Sequence, residues 1–120
     1  MDVKDQDRLL LRLMSAASLR GRVIANNIAN QNVPGFQARV VRFEELLAPQ
    51  LRNGASAEAL ERIEPRVETA RATATSPDGN SVDLEGEMAA MRENRLLYEL
   101  YATILQGRMD MIRSSIVESR

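Results

Sequence analysis

A chain of 120 residues with no cysteine, no histidine and a net charge of −1 lacks thiol nucleophiles, disulfides, imidazole bases and the commonest transition-metal ligands at once. Its length suits one domain, and its 16 cations, all arginine except Lys4, are scattered, so it offers no net field for nucleic acid or an anionic bilayer. The opening Met1-Asp2-Val3-Lys4-Asp5 is acidic without an apolar leader core, and no apolar run is long enough for a bilayer. Neither a Sec-type leader nor a membrane span is therefore expected.

The first element is a helix. Leu10, Leu13 or Met14, Ala17, Gly21, Ile24 and Ile28 recur at spacings of three and four, which predicts one apolar stripe on a helix from about residue 5 to 30. Asp2 or Asp5 suits its N-cap, and Asp7 favours the positive dipole end. Ser15, Ala16, Ala17, Ser18 and Gly21 thin one portion of it, which allows a second helix backbone to come close.

Ala25 to Phe36, ANNIANQNVPGF, then stops the helix. Asn26, Asn27, Asn30 and Asn32 have amides that bond nearby backbone and tolerate the left-handed conformation, which suits a helix C-cap. Pro34 fixes φ at the second position of a β-turn, Gly35 supplies the positive φ of a type II turn at the third, and Val33 is driven out of helical space. Asn26, Asn27, Asn30, Pro34, Gly35 and Phe36 are the candidate set that redirects the chain.

Phe36, Ala38 and Val40 alternate with Gln37 and Arg39, as in a short strand, and Phe43 to Leu51 allows one or two helical turns around Pro49. Residues 48–80 hold only Leu51, Leu60, Ile63 and Val67 as large apolar side chains. This predicts a long flexible loop, or one that orders on assembly. Within it Ile63 to Thr73 has strand-compatible spacing suited to a hairpin against neighbours.

The last element is a longer helix. Leu84, Met88, Met91, Arg95, Tyr98, Ala102, Leu105, Met109, Ile112 and Ile116 alternate by four and three, a coiled-coil seam broken only by Arg95. Asp83 suits the N-cap, with Glu85 and Glu87 in the first turn. A second stripe, Ala90, Leu97, Tyr101, Ile104 and Met111, runs beside it. One helix partner covers one of these, so the other calls for a second surface, read here as a subunit contact. The expected fold is mainly α: the two terminal helices paired antiparallel as a coiled coil, with a short extended segment and the middle loop. The expected divisions are 1–35, 36–80 and 81–120, the outer two forming one domain.

Catalytic vocabulary is sparse. Asp78 to Glu87, DGNSVDLEGE, invites a calcium-loop reading, but Val82 and Asp83 stand where an EF-hand needs an oxygen ligand and glycine. No phosphate-binding glycine loop, nucleophile elbow or zinc motif accompanies the carboxylates, so no enzyme, cofactor, metal or small-molecule substrate is expected. The four aromatic residues, Phe36, Phe43, Tyr98 and Tyr101, argue against a stacking platform for nucleic acid.

ANNIANQNVPGF resembles the N-terminal signature of the bacterial flagellar axial proteins, ASN-L/I-AN-x-x-T-P-G-Y/F, with Val33 at the usual Thr and Phe36 where Tyr is common. DGNSVDLEGE, followed by Met88, Met91, Glu93, Asn94, Leu97 and Tyr98, is similar to the DGN-x-VD-x-E-x-E-M…EN-x-L-x-Y pattern of the proximal rod subunits of that family. The V-x-P-V-x-E-M stretch of a sister rod subunit is missing. The resemblance covers roughly residues 9–47 and 76–117. It implies a structural subunit of the proximal rod in the periplasmic part of the basal body, exported by the flagellar type III apparatus without a cleaved leader. The same resemblance implies self-association, contacts with other rod subunits and with the MS ring and export gate, and transmission of torque for motility. On that reading Ile24, Ile28, Leu84, Met91, Tyr98, Leu105, Met109, Ile112 and Ile116 carry helix packing within and between subunits. Two other classes fit the same stripes: a soluble helical adaptor or export-chaperone-like module, and a small regulatory coiled coil associated with nucleic acid.

Overall fold

The computed structural model of the chain describes residues 1–71 and 74–119. Two long helices, α1 (Val3–Ala29) and α4 (Leu84–Glu118), lie antiparallel. Arg108 pairs with Asp7 at one end of the contact, the Asn94 amide reaches Ala17 O in the middle, and Asn80 reaches Asn30 O at the other end. The molecule measures 68 × 28 × 16 Å, an elongation set by the 35-residue α4, about 52 Å long. Mainly α architecture is therefore the expectation that the fold meets.

Helix α1 begins at an N-cap with reciprocal bonds: Asp2 Oδ1 accepts from Asp5 N at 2.9 Å while Asp5 Oδ2 accepts from Asp2 N at 3.4 Å. The backbone hydrogen bond that Asp5 donates holds the Asp2 carboxyl below the usual carboxylate range. At the other end Asn30 is the C-cap at φ −102°, and among the described residues only Gly35, Gly54 and Gly79 have positive φ. The left-handed asparagine that the sequence suggests is thus not used; the glycines carry that conformation. Helix α4 starts after Asp83, whose side chain makes no capping bond.

The middle departs most from expectation. The expected short strand and helical turns take the form of β1 (Arg39–Arg42) and α2 (Glu44–Arg52), but within 48–80, where composition predicts a flexible loop or one that orders on assembly, the chain forms the end of α2, then α3 (Ala57–Glu61) and β2 (Arg66–Thr69). The strand begins three residues later than Phe36, and β2 pairs antiparallel with β1 of the same chain, Val41 opposite Val67, instead of forming a hairpin against neighbours. Ala72 and Thr73, at the end of the predicted strand-compatible segment, lie outside the described residues.

The physical reason is that these few apolar side chains find their partners on α1. Phe43, Leu47 and Leu60 are buried with Ala16, and Leu9, Leu13, Ala55 and Ile63 pack around them. Arg12 completes the cluster: its guanidinium lies 5.4 Å from the Phe43 ring centre and donates to Leu60 O at 2.7 Å and to Ile63 O. That satisfies one C-terminal carbonyl of the short α3, Leu60 O, and one of the chain just past it, Ile63 O. A segment counted alone looks too polar to order, yet it needs only to cover one side of α1.

Candidate functional site

The two sequence motifs, far apart in the chain, meet as interlocked turns. Phe36 N donates to Val33 O at 3.2 Å across Pro34 and Gly35, and Gly35 has φ +75°, the type II arrangement. The Asp78-Gly79-Asn80 turn lies directly against it. Gly35 N donates to Asp78 O at 2.9 Å, Gln37 Nε2 to Gly79 O at 2.9 Å, and Ser81 N to Phe36 O at 3.0 Å.

Asn80 is the rivet. Almost fully buried, it donates from Nδ2 to Asn30 O at 2.9 Å and Val33 O at 2.7 Å, and its Oδ1 accepts from Val82 N at 2.8 Å. One amide therefore ties the end of α1, the Pro-Gly turn and the approach to α4. Asp78 Oδ1 accepts from Asn80 N at 3.1 Å and Ser81 Oγ from Ala38 N at 2.8 Å, so the first oxygen donors of the candidate cation loop, Asp78, Asn80 and Ser81, bond backbone. Gly79 has φ +85°, and a Cβ there would sit 3.5 Å from Gly35 Cα. We expect Gly79→Ala to cost about 1–2 kcal/mol through its backbone conformation, read as a lower urea midpoint; an unchanged midpoint would place the strain elsewhere.

The asparagines of the first motif divide their work. Asn27 is fully buried and clamps the start of β1: Nδ2 donates to Arg39 O at 2.8 Å and Oδ1 accepts from Arg39 N at 3.0 Å. The amide stands in for a neighbouring strand. Asn30 Nδ2 donates to Asn26 O at 2.7 Å within the helix end, whereas Asn26 is exposed and contributes that carbonyl. Pro34 and Gly35 are exposed and Phe36 is half-buried.

The helix-packing candidates separate into two groups. Ile24 is buried and Ile28, Met91 and Leu105 are half-buried, all on the α1–α4 side. Leu84, Tyr98, Met109, Ile112 and Ile116 are exposed. Beyond Arg108, which donates to Val3 O at 3.1 Å and Gln6 Oε1 at 2.9 Å, α1 has ended, and every described residue of α4 from 109 onward is exposed. The regular 4–3 stripe is thus not the intramolecular seam along its whole length; only its middle touches α1.

The seam is centred on Asn94, with Met91 and Tyr98 on one side and Ala90, Leu97 and Tyr101 on the other. Asn94 Nδ2 donates to Ala17 O at 2.7 Å, Arg20 Nη1 donates to Asn94 Oδ1 at 3.1 Å, and Arg20 is ion-paired with Glu44 of α2. A Cβ at Gly21 would lie 3.5 Å from Asn94 Nδ2, so the small residues of α1 do give the close approach that their sequence suggests. Tyr101 OH is 3.5 Å from Glu44 Oε1; burial and then the Glu44 charge raise its pKa, which Arg20 opposes.

Sequence reasoning gave Asn80 and Asn94 no role beyond their motifs, and passed over Arg12 and Gln37. The available signal was type: amides inside an otherwise apolar or turn-forming context are retained where backbone groups need partners.

These turns and helices have known relatives. The family model for flagella basal body rod proteins matches residues 13–37, the second half of α1 and the Pro-Gly turn. The chain is similar to the flagellar basal body rod protein FlgB of Borrelia hermsii, with 32% identity over 110 residues, covering 78% of this chain and 82% of that protein. The FlgB of Proteus mirabilis (strain HI4320) is 30% identical over 112 residues, covering 80% and 82%. That of Bacillus subtilis (strain 168) is 25% identical over 112 residues, 84% of each. With identity at that level over most of both chains, this protein belongs to the FlgB family of flagellar basal body rod proteins, structural components of the rod and not enzymes.

Proposed function

We propose that this rod subunit assembles helically with other rod proteins through the outward apolar side of α4, and so links the MS ring and export gate to the distal rod and transmits motor torque. The observation that carries the reading is the stretch of α4 past Arg108: Met109, Met111, Ile112, Ile116 and Val117 are all exposed on a helix end that α1 does not reach. Such a surface is costly in water and is relieved by a neighbour. On this reading the contact is heterologous, this face of one subunit meeting a different surface of the next, so each contact leaves an equivalent face free and the assembly extends instead of closing. Export by the flagellar type III apparatus is part of the same reading and rests on the family alone. Within it, Ile24, Ile28, Met91 and Leu105 hold the helices of one subunit together, while Leu84, Tyr98, Met109, Ile112 and Ile116 meet neighbours. The interlocked turns fix the direction in which α4 leaves.

Ile112→Glu tests this. Ile112 is 41% exposed in the isolated chain, so the variant keeps wild-type helicity and stability to within about 0.5 kcal/mol. In a strain lacking the native subunit it is expected to abolish swimming and to leave basal bodies without complete rods. Normal motility and normal incorporation of this variant would overturn the reading.

A further inference from the structure

The one buried residue of α4 is polar. Asn94 is 6% exposed, whereas the apolar residues of the same helix, among those described, are at best half-buried. Hydrophobic burial alone would turn one of the two apolar stripes squarely onto α1. The structure instead sets the amide on the centre line, bonded to Ala17 O and to Arg20, with the glycine of α1 opposite. As a result both stripes straddle the contact. Met91 and Tyr98 line a shallow recess with Ala17, Ser18 and Gly21 on one side, and Ala90, Leu97 and Tyr101 line another with Arg20, Glu44 and Glu45 on the other.

We propose that Asn94 is a positioning residue that sets the rotation of α4 about its own axis on α1 and thereby keeps both apolar stripes half-open. A single buried amide in a helix seam is a good rotational and axial pin, because sliding or turning the helix strands its donor and acceptor away from their partners. Here the pin has three parts: the Ala17 carbonyl, the Arg20 guanidinium held by Glu44, and the space above Gly21. Arg20 and Glu44 tie the rotation of α4 to the position of α2 as well. The inference rests on the rod-subunit reading only for what the open stripes are for; the rotation itself is a property of the isolated chain and is tested there.

The chain has no cysteine, so single reporter thiols report cleanly. Met88→Cys is exposed at the edge of the Met91–Tyr98 stripe, Ala90→Cys is half-buried on the other, and Val23→Cys is a buried, nearly isosteric control on α1 outside the contact with Asn94. In the Asn94→Ala background, which removes the amide without placing a large apolar side chain on the centre line, the helix turns the Met91–Tyr98 stripe inward, so thiol labelling at position 88 slows and at position 90 accelerates. The ratio of the two is expected to shift about threefold or more while position 23 stays protected. Asn94→Asp retains the contact with Arg20 but loses the donor to Ala17 O, and gives a smaller shift in the same direction. An unchanged 88-to-90 ratio in a folded Asn94→Ala protein would overturn the proposal, as would a parallel rise at all three positions, which would make Asn94 a stabilising residue only. Neither result bears on whether Ile112→Glu blocks assembly, so the two readings fail separately.

Discussion

Replacing Phe43 with alanine is expected to remove about 3–5 kcal/mol of stability, a large share of the roughly 6–18 kcal/mol that a chain of this size commands. Phe43 is 0% exposed and the largest apolar side chain so buried. It lies where α1, the end of β1 and the start of α2 meet, against Ala16, Leu47 and Leu60. Its loss opens a cavity that small neighbours cannot fill. It also removes the ring under the Arg12 guanidinium, which then holds Leu60 O and Ile63 O without support from below. The middle elements should therefore loosen before the helix pair does. The measurement is urea denaturation followed by circular dichroism, with hydrogen exchange to locate the loss. Amides of α2, α3 and β2 should exchange faster at urea concentrations where the middle of α1 is still protected. A Leu96→Ala control, 66% exposed on α4, should change stability by less than about 0.5 kcal/mol. If Phe43→Ala behaves like the control, the cluster is not the core of the middle segment.

Burial at Phe43 also explains what sequence could and could not reveal. Both long helices are written in a 3–4 period that survives any tertiary context, and the Pro34-Gly35 turn follows from the backbone limits of two residue types. The middle was opaque because its stability is not its own. Leu47 and Leu60 are sparse in sequence, and what buries them, Ala16 with Leu9 and Leu13 of α1, lies more than thirty residues earlier. Periodicity likewise found the two stripes of α4 but not its rotation, since the deciding residue is an asparagine that a hydrophobic count scores as a defect. Four asparagines near the end of α1 read alike as helix stoppers; only three-dimensional pairing separates the one that clamps β1 from its neighbours.

Among those asparagines, Asn27→Ala is expected to cost about 2–4 kcal/mol, while Asn26→Ala, at an exposed position whose side chain bonds to none of the described residues, should stay within about 0.5 kcal/mol. Asn27, itself 0% exposed, supplies both a donor and an acceptor to the Arg39 backbone, at 2.8 and 3.0 Å. Alanine strands the Arg39 N–H and C=O together, and each unpaired buried backbone group carries a penalty of about 1–3 kcal/mol where water does not reach it. Asn27→Asp sharpens the test. Its carboxylate can still accept from Arg39 N, but its second oxygen then faces Arg39 O, acceptor against acceptor, with a buried charge. Burial and that carbonyl both raise the folded pKa of such an aspartate above its unfolded value of about 3.9. The sign follows: the unfolded state loses its proton first, so the variant is least stable at neutral pH and recovers as pH falls through the raised folded pKa. Denaturation midpoints for Asn27→Asp should therefore lie below those of Asn27→Ala at pH 7 and close on them toward pH 4. Equal midpoints for Asn26→Ala and Asn27→Ala, or an aspartate variant indifferent to pH, would mean that β1 is held by its pairing with β2 and not by the amide of α1.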